Sequence, residues 1–387
     1  MTTLRARVAV LPKRTLALAS AILVCTIVAA SATAKETTPR AVDLQKDVDA
    51  LVAAGAPGAI LLVRDGDETT RLTGGYADLA TKAAMQPADH YRIASLTKTY
   101  VAAVVLQLVA EGKLQLTDTV EHWLPGLVPN GSKITIRMLL NHTSGLYDHE
   151  RDPVVLKPYL NGNLSYYWSP RRLVKLAVSR EPRFAPGATT RSSYSSTNYL
   201  VAALIVERAT GNPIGAELKR RIFKPLHLAA TSYPTSSTKL PSPYAHGYFL
   251  LGKPPLADLS AFSPSLSGPA GAIVSTVDDV AAFYRALLSG KVLEPALLDA
   301  MKATIPGSAN ADLHQRMGYG IERFPATCGP AWGHSGSFPG YWTHAWASEN
   351  GNRQAVLMVN ADPSAVSAKA RALFYKVLNE AYCSTAA

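Results

Sequence analysis

Ser95 and Lys98 stand three residues apart at the head of an apolar stretch that runs to Ala110. On a helix, residues at that spacing are neighbours, with Cβ atoms about 5–6 Å apart. A serine hydroxyl is a poor nucleophile until a base takes its proton, and a lysine can serve once burial lowers its pKa. The chemistry open to this pair is acyl transfer through an acyl-serine. At a helix start the Ser95 N–H would also point outward, available to an oxyanion. Spacing alone carries little weight. Ser236 and Lys239 repeat it in a loop, and Ser95 by itself would read as an N-cap.

Further segments add the missing weight. Phe184-Ala185-Pro186-Gly187 leads into Tyr194-Ser195-Ser196-Thr197-Asn198-Tyr199, and Trp332-Gly333-His334-Ser335-Gly336-Ser337 leads into Pro339-Gly340-Tyr341. Two more distinctive stretches accompany them, Ile134–Leu146 with its Asn141-His142-Thr143-Ser144-Gly145, between Lys98 and Tyr194, and the glycine-rich Gly268–Thr276, ahead of His334. Together these resemble the penicillin-recognising serine hydrolases: class C β-lactamases, DD-peptidases and related esterases. Their three motifs are S-x-x-K, Y-x-N and K-T-G or H-x-G, and the likeness covers roughly residues 40–383. Within that family the chain looks most like the soluble, secreted D-alanyl-D-alanine carboxypeptidases, whose third motif is H-T-G-T where His334-Ser335-Gly336-Ser337 stands here.

The resemblance implies roles. Ser95 would attack a terminal amide and form an acyl-enzyme, Lys98 and Tyr194 would share the proton, and the oxyanion would sit between the N–H groups of Ser95 and Ser337. His334 replaces the lysine of K-T-G; protonated it would add positive potential, neutral it would be a hydrogen-bonding spacer. The implied substrate is a peptidoglycan stem peptide, with β-lactams as acylating ligands. Its terminal carboxylate would be held by the Ser335 and Ser337 hydroxyls and a nearby arginine, for which Arg323 is the candidate. One position departs from the pattern. Ser196 stands where the second motif has an asparagine, so the expected contact to a substrate amide is shortened, and Asn198 does not obviously replace it.

The elements that must position these residues are legible in outline. Gly58–Val63 and Thr69–Ala77 flank Asp65-Gly66-Asp67, and Tyr341–Ser348 and Gln354–Asn360 flank Glu349-Asn350-Gly351-Asn352; both read as β-hairpins. Hairpins at both ends predict an antiparallel sheet built from the two chain termini. Leu96–Ala110 reads as a buried helix stopped at Gly112, and Arg171–Val178, Asn198–Ala209, Val277–Leu288 and about 366–382 carry helical spacing. Long connections, 161–170 and 232–269, lie between them. The predicted class is α/β (α+β), a sheet flanked by helices with a mostly helical inserted region. We place the sheet-forming part at about 40–112 and 270–387 and the helical part at about 113–269, one catalytic domain over 35–387.

Composition sets the surroundings. The 387 residues are 48% hydrophobic and 17% charged, which suits a globule. Arg5, Arg7, Lys13 and Arg14 precede an apolar run from Leu16 to Ala30, followed by Ala32-Thr33-Ala34. That order is a secretory signal over residues 1–34, and the run is short of the about 20 apolar residues of a membrane anchor, the alternative reading. Without those four positive charges, residues 35–387 carry +7 of the formal +11. A basic surface suits an anionic cell wall; the basic residues are dispersed, which argues against nucleic acid. Contact with a membrane would run only through an uncleaved signal.

Signal removal would leave Cys328 and Cys383, which in an oxidising compartment can form one bridge or remain two thiols. The carboxypeptidase likeness, with cysteines at corresponding places, implies the bridge. No G-x-S-x-G elbow, no H-E-x-x-H and no cysteine–histidine cluster occurs, so neither an α/β-hydrolase, a metal nor a cofactor is indicated. The leading expectation is a D-Ala-D-Ala carboxypeptidase or transpeptidase. Its competitors are an esterase, a D-aminopeptidase or a β-lactamase on the same fold, and a catalytically idle wall-binding scaffold.

Overall fold

Among the described residues, nine strands form one antiparallel sheet, three from near the start of the chain and six from its end. The computed structural model describes residues 39–187, 192–252, 254–307 and 316–384; the expected signal, 1–34, lies outside them. Across the sheet the order is Ala83–Ala84, Glu68–Asp78, Gly58–Asp65, Arg353–Val359, Tyr341–Ala347, Ala331–Phe338, Glu322–Phe324, Arg316–Met317 and Ile305–Pro306. Both expected hairpins are present. The first closes with Asp65 opposite Glu68 around Gly66 at φ +57, the left-handed conformation a two-residue turn asks for. The two ends of the chain meet where Gly58–Asp65 pairs with Arg353–Val359, in register from Ala59↔Val359 to Asp65↔Arg353.

Strand alternation then sorts side chains to two cores. Ile60, Leu62, Val356 and Met358 join the larger core, while Ala59, Leu61, Leu357 and Val359 join a smaller one under the helix Ala368–Cys383. A second helix on that face, Pro39–Ala53, was not expected from the sequence. It contributes Leu44, Val48 and Leu51, a sparse stripe at helical spacing among charged residues. A bridge between Cys328 and Cys383 ties the strand segment to the end of the C-terminal helix.

The larger core holds the helices that carry the motifs. Thr97–Ala110 is buried nearly all round and ends at Gly112, φ +67; Thr197–Thr210 is equally enclosed and ends at Gly211, φ +72. Val277–Leu288 starts at Thr276, whose hydroxyl caps the Asp279 N–H. One expectation needs adjusting. Ser95 does not lie on the α-helix itself but in a 3-10 turn, Ala94–Leu96, that feeds into it.

Candidate active site

The turn that carries Ser95 is entered through Ala94 at φ +54, a left-handed conformation that a non-glycine residue holds only when its surroundings impose it. The Ala331–Phe338 strand packs directly against this turn. A Cβ on Gly336 would stand 2.6 Å from the Ile93 carbonyl oxygen and 3.1 Å from the Ala94 Cβ. Only glycine lets the strand run this close to the Ser95 turn.

Lys98, one turn into the helix, is fully buried. Its ammonium donates to Ser95 Oγ at 3.0 Å and to the Ala270 carbonyl at 2.9 Å. The glycine-rich segment thus holds the lysine, and it is tied to the same helix by the Ile273 N–H on Thr97 Oγ1. Burial pushes the Lys98 pKa down to about 8, against a smaller opposing pull from Glu150, Asp148 and Glu322. At neutral pH an appreciable fraction is the free amine, able to accept a proton.

Tyr194 faces the same pair. The Lys98 Nζ lies 4.8 Å from the centre of its ring, and the phenol side chain lines the same cavity as Ser95. Burial holds this phenol well above its usual pKa, so it stays a proton donor. His334 is buried beside them, its ring centre 6.3 Å from that of Tyr194. Burial, with Lys98 nearby, pushes its pKa down to about 3, and its Nδ1–H donates to the Ser335 carbonyl at 2.5 Å. The imidazole is therefore neutral, which fits the spacer alternative and not the added charge.

Past Gly333, opposite Glu322, the Ala331–Phe338 strand has no further ladder partner on that side among the described residues. The Glu322 carboxylate takes over, accepting from the Ser335 N–H at 2.8 Å and the Ser335 hydroxyl at 3.3 Å. Because every second N–H of a strand faces the same side, the Ser337 N–H points to the same open edge, beside Ser95. The Ser337 hydroxyl donates to Asp362 at 3.0 Å. A cavity of about 530 Å³ opens here, with Ser95, Tyr194, Gly336 and Ser337 in its wall. Asp148, Glu150 and Arg151 also line it, as do Trp342, His344 and Tyr375. Nucleophile, phenol donor and the open strand edge face one space, with the buried amine of Lys98 directly behind the nucleophile, on Ser95 Oγ.

With this geometry in view, the chain matches the Beta-lactamase family over residues 44–380. It belongs to that family. Among relatives, it is 29% identical to the putative penicillin-binding protein PbpX of Bacillus subtilis (strain 168) over 338 residues, 87% of this chain and 78% of that one. Among solved structures, a D-stereospecific amidohydrolase from Streptomyces sp. superposes with a TM-score of 0.81 at 36% identity, covering 89% of this chain and 99% of that chain. The D-amino acid amidase of Ochrobactrum anthropi SV3, complexed with L-phenylalanine amide, gives a TM-score of 0.80 at 27% identity, covering 90% and 100%.

As a member of this family the chain has two site residues placed otherwise than the sequence suggested. Arg323 does not line the cavity. It pairs with Trp332, and strand alternation turns it to the face opposite its neighbour Glu322, which does line it. Ser196 does not line it either. Its side chain is fully buried, its hydroxyl finds no hydrogen-bond partner among the described residues, and its N–H is taken by Asp148 Oδ1 at 3.1 Å. Asn198 is no substitute, since its amide is spent on His142 and Ser144.

Asp148, Glu150 and Glu322 went unnoticed in the sequence. The signal for the first two was the charged run Asp148–Asp152 directly after the recognisable 134–146 loop. Burial raises the Asp148 carboxyl pKa, and Glu150 adds to it. The spacing twin, Ser236 and Lys239, sits in a loop away from this cavity. No group of ligands able to hold a metal occurs among the described residues, and no described helix is long and apolar enough to cross a membrane.

Proposed function

We propose that this member of the β-lactamase family is a serine amidohydrolase for small D-configured amides or peptides that carry no free carboxylate beyond the scissile bond. Glu322 carries this reading: a carboxylate, not an arginine, faces the cavity at the strand edge beside Ser335. A substrate carboxylate about 4 Å from it would be opposed by roughly 1–4 kcal/mol, depending on how much water remains. The Ser335 and Ser337 hydroxyls, offered above as its other ligands, already donate to Glu322 and Asp362. Three carboxylates against one Arg151 in the lining suit a cationic amine or an uncharged amide instead. The names of the two solved neighbours, a D-stereospecific amidohydrolase and a D-amino acid amidase, support the same class.

In this reading neutral Lys98 takes the Ser95 proton as Oγ attacks the carbonyl carbon. The oxyanion is held by the Ser95 and Ser337 N–H groups. Tyr194 gives its proton to the leaving nitrogen as the C–N bond breaks, and the Lys98 ammonium reprotonates it. Water then attacks the acyl-serine by the reverse proton route. The Cys328–Cys383 bridge supports export of the chain, in keeping with a signal at residues 1–34.

The second reading, a D-Ala-D-Ala carboxypeptidase on peptidoglycan, draws on the likeness to a penicillin-binding protein. Hydrolysis of D-phenylalanine amide, a diacyl-D-Ala-D-Ala peptide and a short acyl ester separates the two. The amide should be favoured over the free-carboxylate peptide by about tenfold or more, and Ser95→Ala should abolish turnover. Preference for the peptide defeats the amidohydrolase reading, and activity that survives Ser95→Ala defeats the acyl-enzyme.

A further inference from the structure

One residue grips Tyr194 from both sides along the chain. The Ser193 N–H donates to the His142 carbonyl at 3.0 Å, and the Ser195 N–H donates to His142 Nδ1 at 3.2 Å. Between these two anchors the His142 imidazole stacks on the Tyr194 ring, centres 4.5 Å apart and planes at 27°. Nδ1 also accepts from the Asn198 amide at 3.1 Å, and the Asn198 carbonyl oxygen accepts from the Ser144 hydroxyl at 2.5 Å. With donors converging on Nδ1, the ring proton sits on Nε2 and the imidazole is neutral. His142 is completely buried and holds φ +62, left-handed for a residue with a side chain.

A side chain present only to fill the core would need neither the Nδ1 acceptor nor this backbone conformation. We propose that His142 is a positioning residue, holding the Tyr194 phenol at the Ser95 hydroxyl for proton delivery to the leaving group. This rests on the reading of Ser95, Lys98 and Tyr194 as the acyl-transfer set. Asn198, whose amide is absent from the cavity, belongs to the same clamp one layer out. The consequence is kinetic. A displacement of about 1 Å in a proton-transfer group costs on the order of 100-fold in rate.

The test compares D-phenylalanine 4-nitroanilide with the matching 4-nitrophenyl ester, using the full chain. The anilide nitrogen needs a proton to leave and the nitrophenolate does not, so the ratio of the two rates reads Tyr194 function specifically. His142→Phe keeps a stacked ring and removes the acceptor; it should lower anilide kcat about 100-fold and ester kcat by about tenfold or less. In a Tyr194→Phe background the same substitution should add little. His142→Asn keeps an acceptor, tolerates positive φ and loses the stack, and should give a rate ratio between wild type and Tyr194→Phe.

Equal losses on both substrates overturn the proposal, as does an undiminished loss in the Tyr194→Phe background. Should His142→Phe fail to fold by thermal melting, an unchanged ratio in His142→Asn overturns it. A wild type that cleaves neither compound defeats the acyl-transfer reading itself, and this inference with it.

Discussion

Gly336 passes so close to Ile93 that a Cβ on it would meet the Ile93 carbonyl oxygen at 2.6 Å. The contact sets the distance between the strand that offers the Ser337 N–H and the turn that offers Ser95. Gly336→Ala must therefore push the strand away from the nucleophile, because the obstacle is backbone and cannot swing aside. We expect acylation of Ser95 to fall about 100-fold, as for other small misplacements of catalytic groups. The stability loss should be an overpacking cost of about 1–3 kcal/mol. Acyl-enzyme formation followed by mass spectrometry, with a thermal melt alongside, checks both; a wild-type acylation rate would mean the strand and turn are not held by this contact.

The charge at Glu322 gives a second prediction. Glu322→Arg should turn repulsion of a substrate carboxylate into attraction, since an arginine pairs with a carboxylate through two parallel hydrogen bonds. The preference for amide over free-carboxylate peptide should move by about tenfold or more toward the peptide, read as a ratio of kcat/KM values. The Ser335 N–H loses its acceptor in this variant, so both absolute rates should fall. Glu322→Gln, which keeps an acceptor for that N–H, should lose less on the amide. An unaltered ratio in Glu322→Arg would show that the substrate never approaches this side chain.

These two residues also mark how far the chain could be read before its fold was known. Ser95, Lys98, Tyr194 and His334-Ser335-Gly336-Ser337 were legible because acyl transfer needs particular residue types at short spacings. Both hairpins were legible from their turns, and the Thr97–Ala110 helix from its unbroken apolar character. Arg323 was proposed from the resemblance, and its facing could not be read from it: adjacent residues of a strand face opposite ways, so the cavity wall receives Glu322 and not Arg323. The other acidic residues of the cavity wall were hidden for another reason. Asp148 and Glu150 come from the start of a short 3-10 turn, His149–Arg151, and only tertiary packing brings them into the wall that holds Ser95. The Pro39–Ala53 helix escaped because its core stripe, Leu44, Val48 and Leu51, is interrupted by charged residues and forms a weak pattern until a sheet is there to receive it.

The Cys328–Cys383 bridge closes a chain segment with a sequence separation of 55, and neither cysteine lines the cavity. Loop closure of that length is worth about 4 kcal/mol in the chain-entropy model. Replacing both cysteines by serine should lower unfolding stability by up to about that amount while leaving kcat near wild type. Denaturant titration beside an activity assay makes the comparison. A large loss of kcat in folded protein would mean the bridge also sets the strand edge.

The last prediction concerns pH and decides whether Lys98 is the base. Burial lowers its pKa to about 8, with Glu150 the largest opposing influence. Below that pH the amine is an ammonium and cannot take the Ser95 proton, so kcat/KM should rise with pH through an inflection near 8. On the acid side it should fall about tenfold per unit. Burial and Lys98 hold His334 far lower, at about 3, so no inflection should appear between pH 5 and 7 from this residue. His334→Gln should change the rate without moving the curve. Glu150→Gln removes the carboxylate that favours the charged lysine, so the inflection should move to lower pH and the rate at pH 6 should rise relative to the plateau. If the inflection stays in place or moves upward in Glu150→Gln, the group being titrated is not Lys98.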